Sequence, residues 1–204
     1  MQSHLINCGT YASQPVFVIR HHIAMRNKSD PAYTYSVHTC RLREEKDGKM
    51  EVVCLRLLKG LHHKFKVGAV SGSTLYLTSL MPPVLGNILS IDLTTDVEPE
   101  VLSCQTPKFE REVDTMVALG GHLYIYGGTR RTPEGQDIVL KDIIMARVQD
   151  GTVKQPWKRL AIRANGRQPS KRTECCFFGH KSPEGRLSLY LFGGMQIKGA
   201  TRNE

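Results

Sequence analysis

Apolar residues in this chain come in short runs broken by glycine, proline and polar clusters, never in a long stretch with the 3.6-residue spacing of a helix. Four runs are strongest: "VFVI" at Val16 to Ile19, "TLYL" at Thr74 to Leu77, "LYIY" at Leu123 to Tyr126 and "LYLF" at Leu189 to Phe192. Each follows a weaker apolar stretch, "HLINC", "KVGAV", "DTMVAL" and "TECCFF" in turn. Turn formers separate the members of each pair: Ser71-Gly72, Gly120-Gly121, the Pro183-Glu184-Gly185 stretch, and a looser signal from Gly9 to Pro15. Short runs rich in Val, Ile, Leu, Tyr and Phe between such turns predict strands joined in hairpins, with almost no helix.

A polar loop follows each of the first three strong strands, and then come a third strand and a fourth. The third strands are read at "YTYSVHTCRL", "NILSIDL" and "IVLKDIIMARV", the fourth at "MEVVCLRLL", "EPEVLSC" and "QPWKRLAI". The tight turns "REEKDGK", "TTD" and "QDG" join them. Four strands recurring about every 50 residues predict an all-β fold of propeller blades. The blades run over about residues 1–60, 61–107 and 108–166, with half a blade at 167–204, so residues 1–204 form a partial or open propeller of about three and a half blades. Such a set does not close a ring. It implies a piece of a longer protein, with two copies closing one ring as the alternative, and open edges that pair with another chain.

Two of the strong strands run directly into a glycine pair, Gly127-Gly128 and Gly193-Gly194. Glycine takes positive φ where a chain turns out of a sheet and leaves room where backbones crowd, and no helix follows to make a phosphate cradle. These pairs therefore read as scaffold. With Asp92 at the end of a third strand, Trp157 in a fourth, and the Pro and Arg lead-in of "RQPSKRTECCFF", the pattern resembles the kelch repeat of β-propellers. Cys175 stands where a histidine is common in that family, and the first two blades carry Arg20-His21 and Ser79-Leu80 in place of the glycines. The resemblance implies a non-catalytic protein-interaction role. The register of "DIIMARV", the loop after it and "RLSLYLFGG" is also similar to the non-catalytic kelch subunit of the V(D)J recombination-activating complex and its transposon relatives. That likeness implies an accessory part in a complex that handles nucleic acid.

Charge sharpens the picture. The chain has a formal charge of +9 and a pI near 9.4, which favours an acidic partner. In a meander the loops after second and fourth strands share one face, and sixteen of the 28 basic residues fall there against six of the 19 acidic ones. This face is expected to bind an anion, carried by Arg130 and Arg131 directly after a glycine pair, then by Arg20, Arg167, Lys171 and Arg172. An acidic segment of a partner protein is the expected ligand, and nucleic acid is the alternative. The pairs His21-His22 and His62-His63 share the face but lack carboxylate or cysteine at ligand spacing, so no metal and no cofactor is expected. No G-x-S-x-G, phosphate-binding glycine loop or H-E-x-x-H occurs, so no catalytic residue is assigned. The six cysteines include no C-x-x-C pair, and without a signal sequence or a run of 18 apolar residues they are expected to be reduced packing residues of an intracellular chain without a membrane span.

Overall fold

The apolar pairs form antiparallel hairpins. A computed structural model describes residues 4–22, 33–44, 48–61, 65–79, 88–94, 111–161 and 169–196, and every regular element among them is a strand. The first sheet is a meander of β1 (His4–Tyr11), β2 (Gln14–His22), β3 (Tyr33–Glu44) and β4 (Met50–Leu61). The second holds β5 (Phe65–Ser71), β6 (Thr74–Ser79) and β7 (Ile88–Asp92). The fourth strand read at "EPEVLSC" lies outside the described residues, as does Leu80.

In the third sheet β8 (Met116–Leu119) pairs with β9 (His122–Tyr126), and the chain then makes a small ribbon of β10 (Thr129–Arg131) and β11 (Asp137–Val139). It returns as β12 (Ile143–Gln149) beside β9, and β13 (Thr152–Arg159) closes the order β8-β9-β12-β13. The single third strand read at "IVLKDIIMARV" is therefore two strands in two sheets. The break has a backbone cause: the Leu140 amide donates to Gly128 O at 2.9 Å, the Gly127 amide donates to Asp142 O at 2.9 Å, and the intervening chain bends to serve both. The last part of the chain pairs β14 (Arg172–Thr173) with β17 (Met195–Gln196), and β15 (Cys176–Lys181) with β16 (Leu187–Phe192). None of these sheets closes on itself.

Successive sheets pack face to face, and this explains why some strands are apolar at every position. On β6, Leu75 and Leu77 join Val16, Val18 and Val37 of the first sheet, while Tyr76 between them joins Leu123, Ile125 and Trp157 of the third. On β9, Leu123 and Ile125 face the second sheet, while Tyr124 and Tyr126 face Cys175 and Phe177. Alternate residues of a strand point to opposite faces, so a strand between two sheets is apolar throughout. The word "LYLF" of β16 is packed on one side only. Leu189 and Leu191 cover the third sheet, whereas Tyr190 and Phe192 are 47% and 75% exposed.

The looser first turn also has a cause. Ala12 and Ser13 take φ of 49° and 64°, the left-handed pair that Gly120 and Gly121 supply at 56° and 72°, so the first hairpin makes the same turn without a glycine to announce it.

The two glycine pairs do the same local task. After Gly128, Thr129 bridges Glu112 through N–H···O bonds of 2.7 and 3.0 Å, and after Gly194, Met195 pairs with Thr173. Each second glycine thus lies against the segment leading into its own first strand. A Cβ on Gly128, at φ of 92°, would press into the Glu112 carbonyl oxygen, and one on Gly194 would sit 2.7 Å from Thr173 O. Gly193, at φ of 66°, has open space around it. Gly128→Ala is expected to cost more than about 2 kcal/mol in urea unfolding, since backbone cannot yield cheaply. Gly193→Ala is expected to cost about 1 kcal/mol, the left-handed conformation alone. Equal losses at the two positions would contradict the close-approach account.

Candidate functional site

The segment before each of the last two first strands carries an arginine that holds the neighbouring glycine pair. Arg111 is buried and donates from Nη1 to Gly127 O at 3.0 Å and to Asp142 Oδ1 at 3.0 Å, and from Nη2 to Asp142 Oδ2 at 3.2 Å. Arg159 reaches the same carboxylate from β13, with Nη2 3.2 Å from Oδ2. Arg172 does for the last pair what Arg111 does for the earlier one. Its Nη1 donates to Gly193 O at 2.8 Å and its Nη2 to Ser170 Oγ at 2.8 Å. A fork already engaged with a glycine carbonyl and a serine is a structural part rather than an open anion receptor.

Tyr126 ties the two units together by donating its hydroxyl to Ser170 O at 2.8 Å, and the Arg172 carbonyl faces Gly127. Lys171 is therefore held close to the point where the β10–β11 ribbon leaves β9. In that ribbon the Thr132 amide donates to Gln136 O at 2.8 Å and the Gly135 amide to Thr132 O at 2.9 Å, a tight turn that fixes the two arginines just before it. Arg131 pairs with Asp137 across the ribbon, its Nε 3.0 Å from Oδ1 and its Nη2 3.3 Å from Oδ2. That hydrogen bond holds the Asp137 carboxyl below its ordinary value and the guanidinium above its own. Arg130 and Lys171 are exposed and make no ion pair among the described residues. Beside the ribbon lies a depression of about 620 Å³ lined by Arg111, Glu112, Thr129, Arg131, Pro133 and Asp137.

A second cavity of about 470 Å³ is lined by residues of β1, β5 and β15 and by the segment 114–118, which includes most of β8, so the first strands of all four units meet around it. Asp114 at its edge pairs with Lys66, which also reaches Glu112 at 2.5 Å. Burial alone would lower the Lys66 ammonium, and the two carboxylates outweigh it to hold the group above its ordinary value. Of the cavity's thiols, burial pushes Cys8 up to about 12 and also raises Cys175. Neither is a thiolate at neutral pH, and the third thiol of the lining, Cys176, is exposed.

The structure thus sets the segment of Ser170, Lys171 and Arg172 against Tyr126 and Gly127, three residues before Arg130. Arg20 lies elsewhere, on β2 of the first sheet, half-buried and opposite Tyr35. Arg167 and the His62-His63 pair lie outside the described residues, and the side chains of His21 and His22 do too. Trp157 is buried between the second and third sheets. Asp92 ends β7, its Oδ1 accepting from the Thr94 amide at 2.9 Å and hydroxyl at 2.8 Å. Sequence reading gave Arg111 no role of its own. Its signal was the shared lead-in, since Arg111 follows Pro107 and precedes a first strand much as Arg172 follows Pro169. Asp142 was hidden inside what read as a continuous strand.

No group of three or more His, Cys, Asp or Glu placed to hold a metal occurs among the described residues, and no helix there is long and apolar enough to cross a membrane. No protein-family model matches the chain, and no curated protein matches it.

Asp142 gives the clamp a pH signature. Burial pushes its carboxyl up, and the hydrogen bonds and charge of Arg111, with the charge of Arg159, outweigh that and hold it below the ordinary value. A carboxyl lowered by folding contributes stability that is complete above its unfolded value near about 4 and fades as the pH falls through the folded value. Asp142→Asn is expected to cost about 3 kcal/mol at pH 7, because Arg111 is left buried without its counter-charge. The gap to the wild-type chain is expected to narrow below pH about 4, measured by urea unfolding at pH 7 and pH 3. A gap as wide at pH 3 as at pH 7 would overturn the charge-based account.

Proposed function

We propose that this chain is part of a kelch-type β-propeller acting as a non-catalytic interaction module, with the end bearing the β10–β11 ribbon capturing an acidic segment of a partner protein. The blade reading is supported by four meander or hairpin units packed face to face, with their first strands around one cavity. The kelch reading is supported by the two glycine pairs, each held by a lead-in arginine. The binding reading rests on one observation above the others: Arg130 and Lys171 stand exposed beside each other's units with no carboxylate matched to them among the described residues.

Arg131 adds to this. Its pair with Asp137 is exposed on both sides, and such pairs contribute only about 0–1 kcal/mol. An incoming carboxylate displaces Asp137 at little cost and finds a planar fork already aligned. Arg172 contributes by positioning Lys171 and the glycine turn, not by contact. Long-range attraction from a net charge of +9 speeds the encounter without specifying its geometry.

A fluorescein-labelled oligo-glutamate peptide is the probe. The double variant Arg130→Glu with Lys171→Glu is expected to weaken its binding at least about tenfold, mostly through slower association at low salt. Lys181→Glu with Arg186→Glu, at the other end of β15 and β16, is expected to leave it within about twofold. A 20-base-pair duplex titrated against salt decides the competing ligand. Duplex binding that is tighter than peptide binding, falls steeply with salt and is lost in the first double variant would replace the protein partner with nucleic acid. Equal losses in both double variants would overturn the site.

A further inference from the structure

Four thiols of the described chain have an evident place: Cys8 and Cys175 fill the space between units, while Cys54 and Cys176 stand exposed on strands. Cys40 is intermediate, and its position is not accounted for by core packing. It lies on β3 directly opposite Cys54 on β4, inside the regular stretch of register that runs from His38↔Arg56 to Glu44↔Met50. The two Sγ atoms are 2.7 Å apart.

We propose that Cys40 and Cys54 form a thiol–disulfide site, a cross-strand dithiol that a small-molecule disulfide closes to a disulfide and a small thiol reopens. Residues directly opposite on antiparallel strands have Cα atoms about 4.5–5.5 Å apart, inside the range of about 4.4–6.8 Å that a disulfide spans. The bond therefore forms with the strands where they already are. β4 is the last strand in the order of its sheet, and Cys54 on it is exposed, so an oxidant in solution reaches the pair. Farther along the same two strands, Arg43 and Glu51 pair with each other at 2.5 Å.

The chemistry balances with glutathione disulfide as oxidant. The exposed Cys54 thiolate attacks one sulfur of the disulfide, forming a mixed disulfide and releasing one glutathione thiolate. Cys40 then attacks Cys54 Sγ and releases the second. Two protein thiols are oxidised, one disulfide is reduced to two thiols, and the two protons pass to the released glutathiones. Burial and the adjoining Cys54 sulfur push the Cys40 thiol up to about 11, and the greater exposure of Cys54 assigns it the first attack. The closeness of Cys40 to Cys54 compensates in the second step, which is intramolecular. Closure pins the edge strand β4 to β3 and closes the loop between them.

The test uses the full 204-residue chain in glutathione buffers of graded oxidised-to-reduced ratio, quenched with acid and mapped by mass spectrometry without reduction. The expected product is a Cys40–Cys54 linked peptide pair two hydrogens lighter than the thiols, rising with the oxidised fraction and reversed by reduced glutathione. In Cys54→Ser the link is expected to vanish while Cys176, exposed and opposite Phe192 rather than a cysteine, takes up glutathione as before. Separate glutathione adducts on Cys40 and Cys54, or both remaining thiols in samples where Cys176 is modified, would overturn the proposal. A link from either residue to a cysteine other than its strand partner would also overturn it.

Discussion

The close approach of backbone at the second glycine of each pair is the constraint on which the second half of this molecule depends. Where Gly128 lies on the Glu112 carbonyl and Gly194 on that of Thr173, the chain leaving a second strand is held against the chain entering the first strand of the same unit. No other side chain fits there, and the contact sets the direction of everything that follows: the β10–β11 ribbon after one pair and the short strand β17 after the other. A buried or half-buried arginine then caps the first glycine's carbonyl in both cases. At the buried Gly127 a carbonyl left without a donor would cost about 1–3 kcal/mol, so there the arginine and the glycine act as one device.

Much of the fold was legible because its physics is local. Strand alternation, turn residues and the return of the strong apolar word every 50 residues or so follow from short-range rules, and β1 through β9 fall close to where those rules put them. The misreading of "IVLKDIIMARV" was of another kind. Nothing in that stretch breaks a strand. What breaks it is a pair of hydrogen bonds to Gly127 and Gly128, residues that precede it in the chain, together with the turn of Asp142 toward Arg111. Interactions between segments have no signature in either segment alone. The hairpin at Ala12 and Ser13 was blurred for a simpler reason, since two non-glycine residues adopt the turn that glycine usually marks.

The candidate site was legible as charge and not as geometry. Counting loop residues pointed to one face of the units, and it could not tell an arginine engaged in the scaffold from one left exposed. Arg172 and Arg131 differ in burial and in what their forks already hold: a glycine carbonyl and serine for one, an exposed and replaceable carboxylate for the other. Arg111 and Asp142, which fix the base of the ribbon, are identical in type to residues on the surface. Only burial and partnership separate them. The cysteines taught the same lesson in reverse, since a uniform expectation of packing residues divides into buried Cys8 and Cys175 and a cross-strand pair at an accessible edge.

The account's central claim is that an acidic chain binds at the ribbon end of these units, beside Lys171, rather than anywhere on a generally basic surface. Zero-length carbodiimide coupling of an oligo-glutamate peptide to the chain, followed by peptide mapping, reads that location directly, because it joins a carboxylate only to an amine in contact with it. The account predicts that Lys171 is among the principal coupled residues and that Lys181, exposed at the far end of β15, is not. Coupling spread evenly over the exposed lysines, or concentrated at Lys181 with Lys171 unmodified, would contradict it.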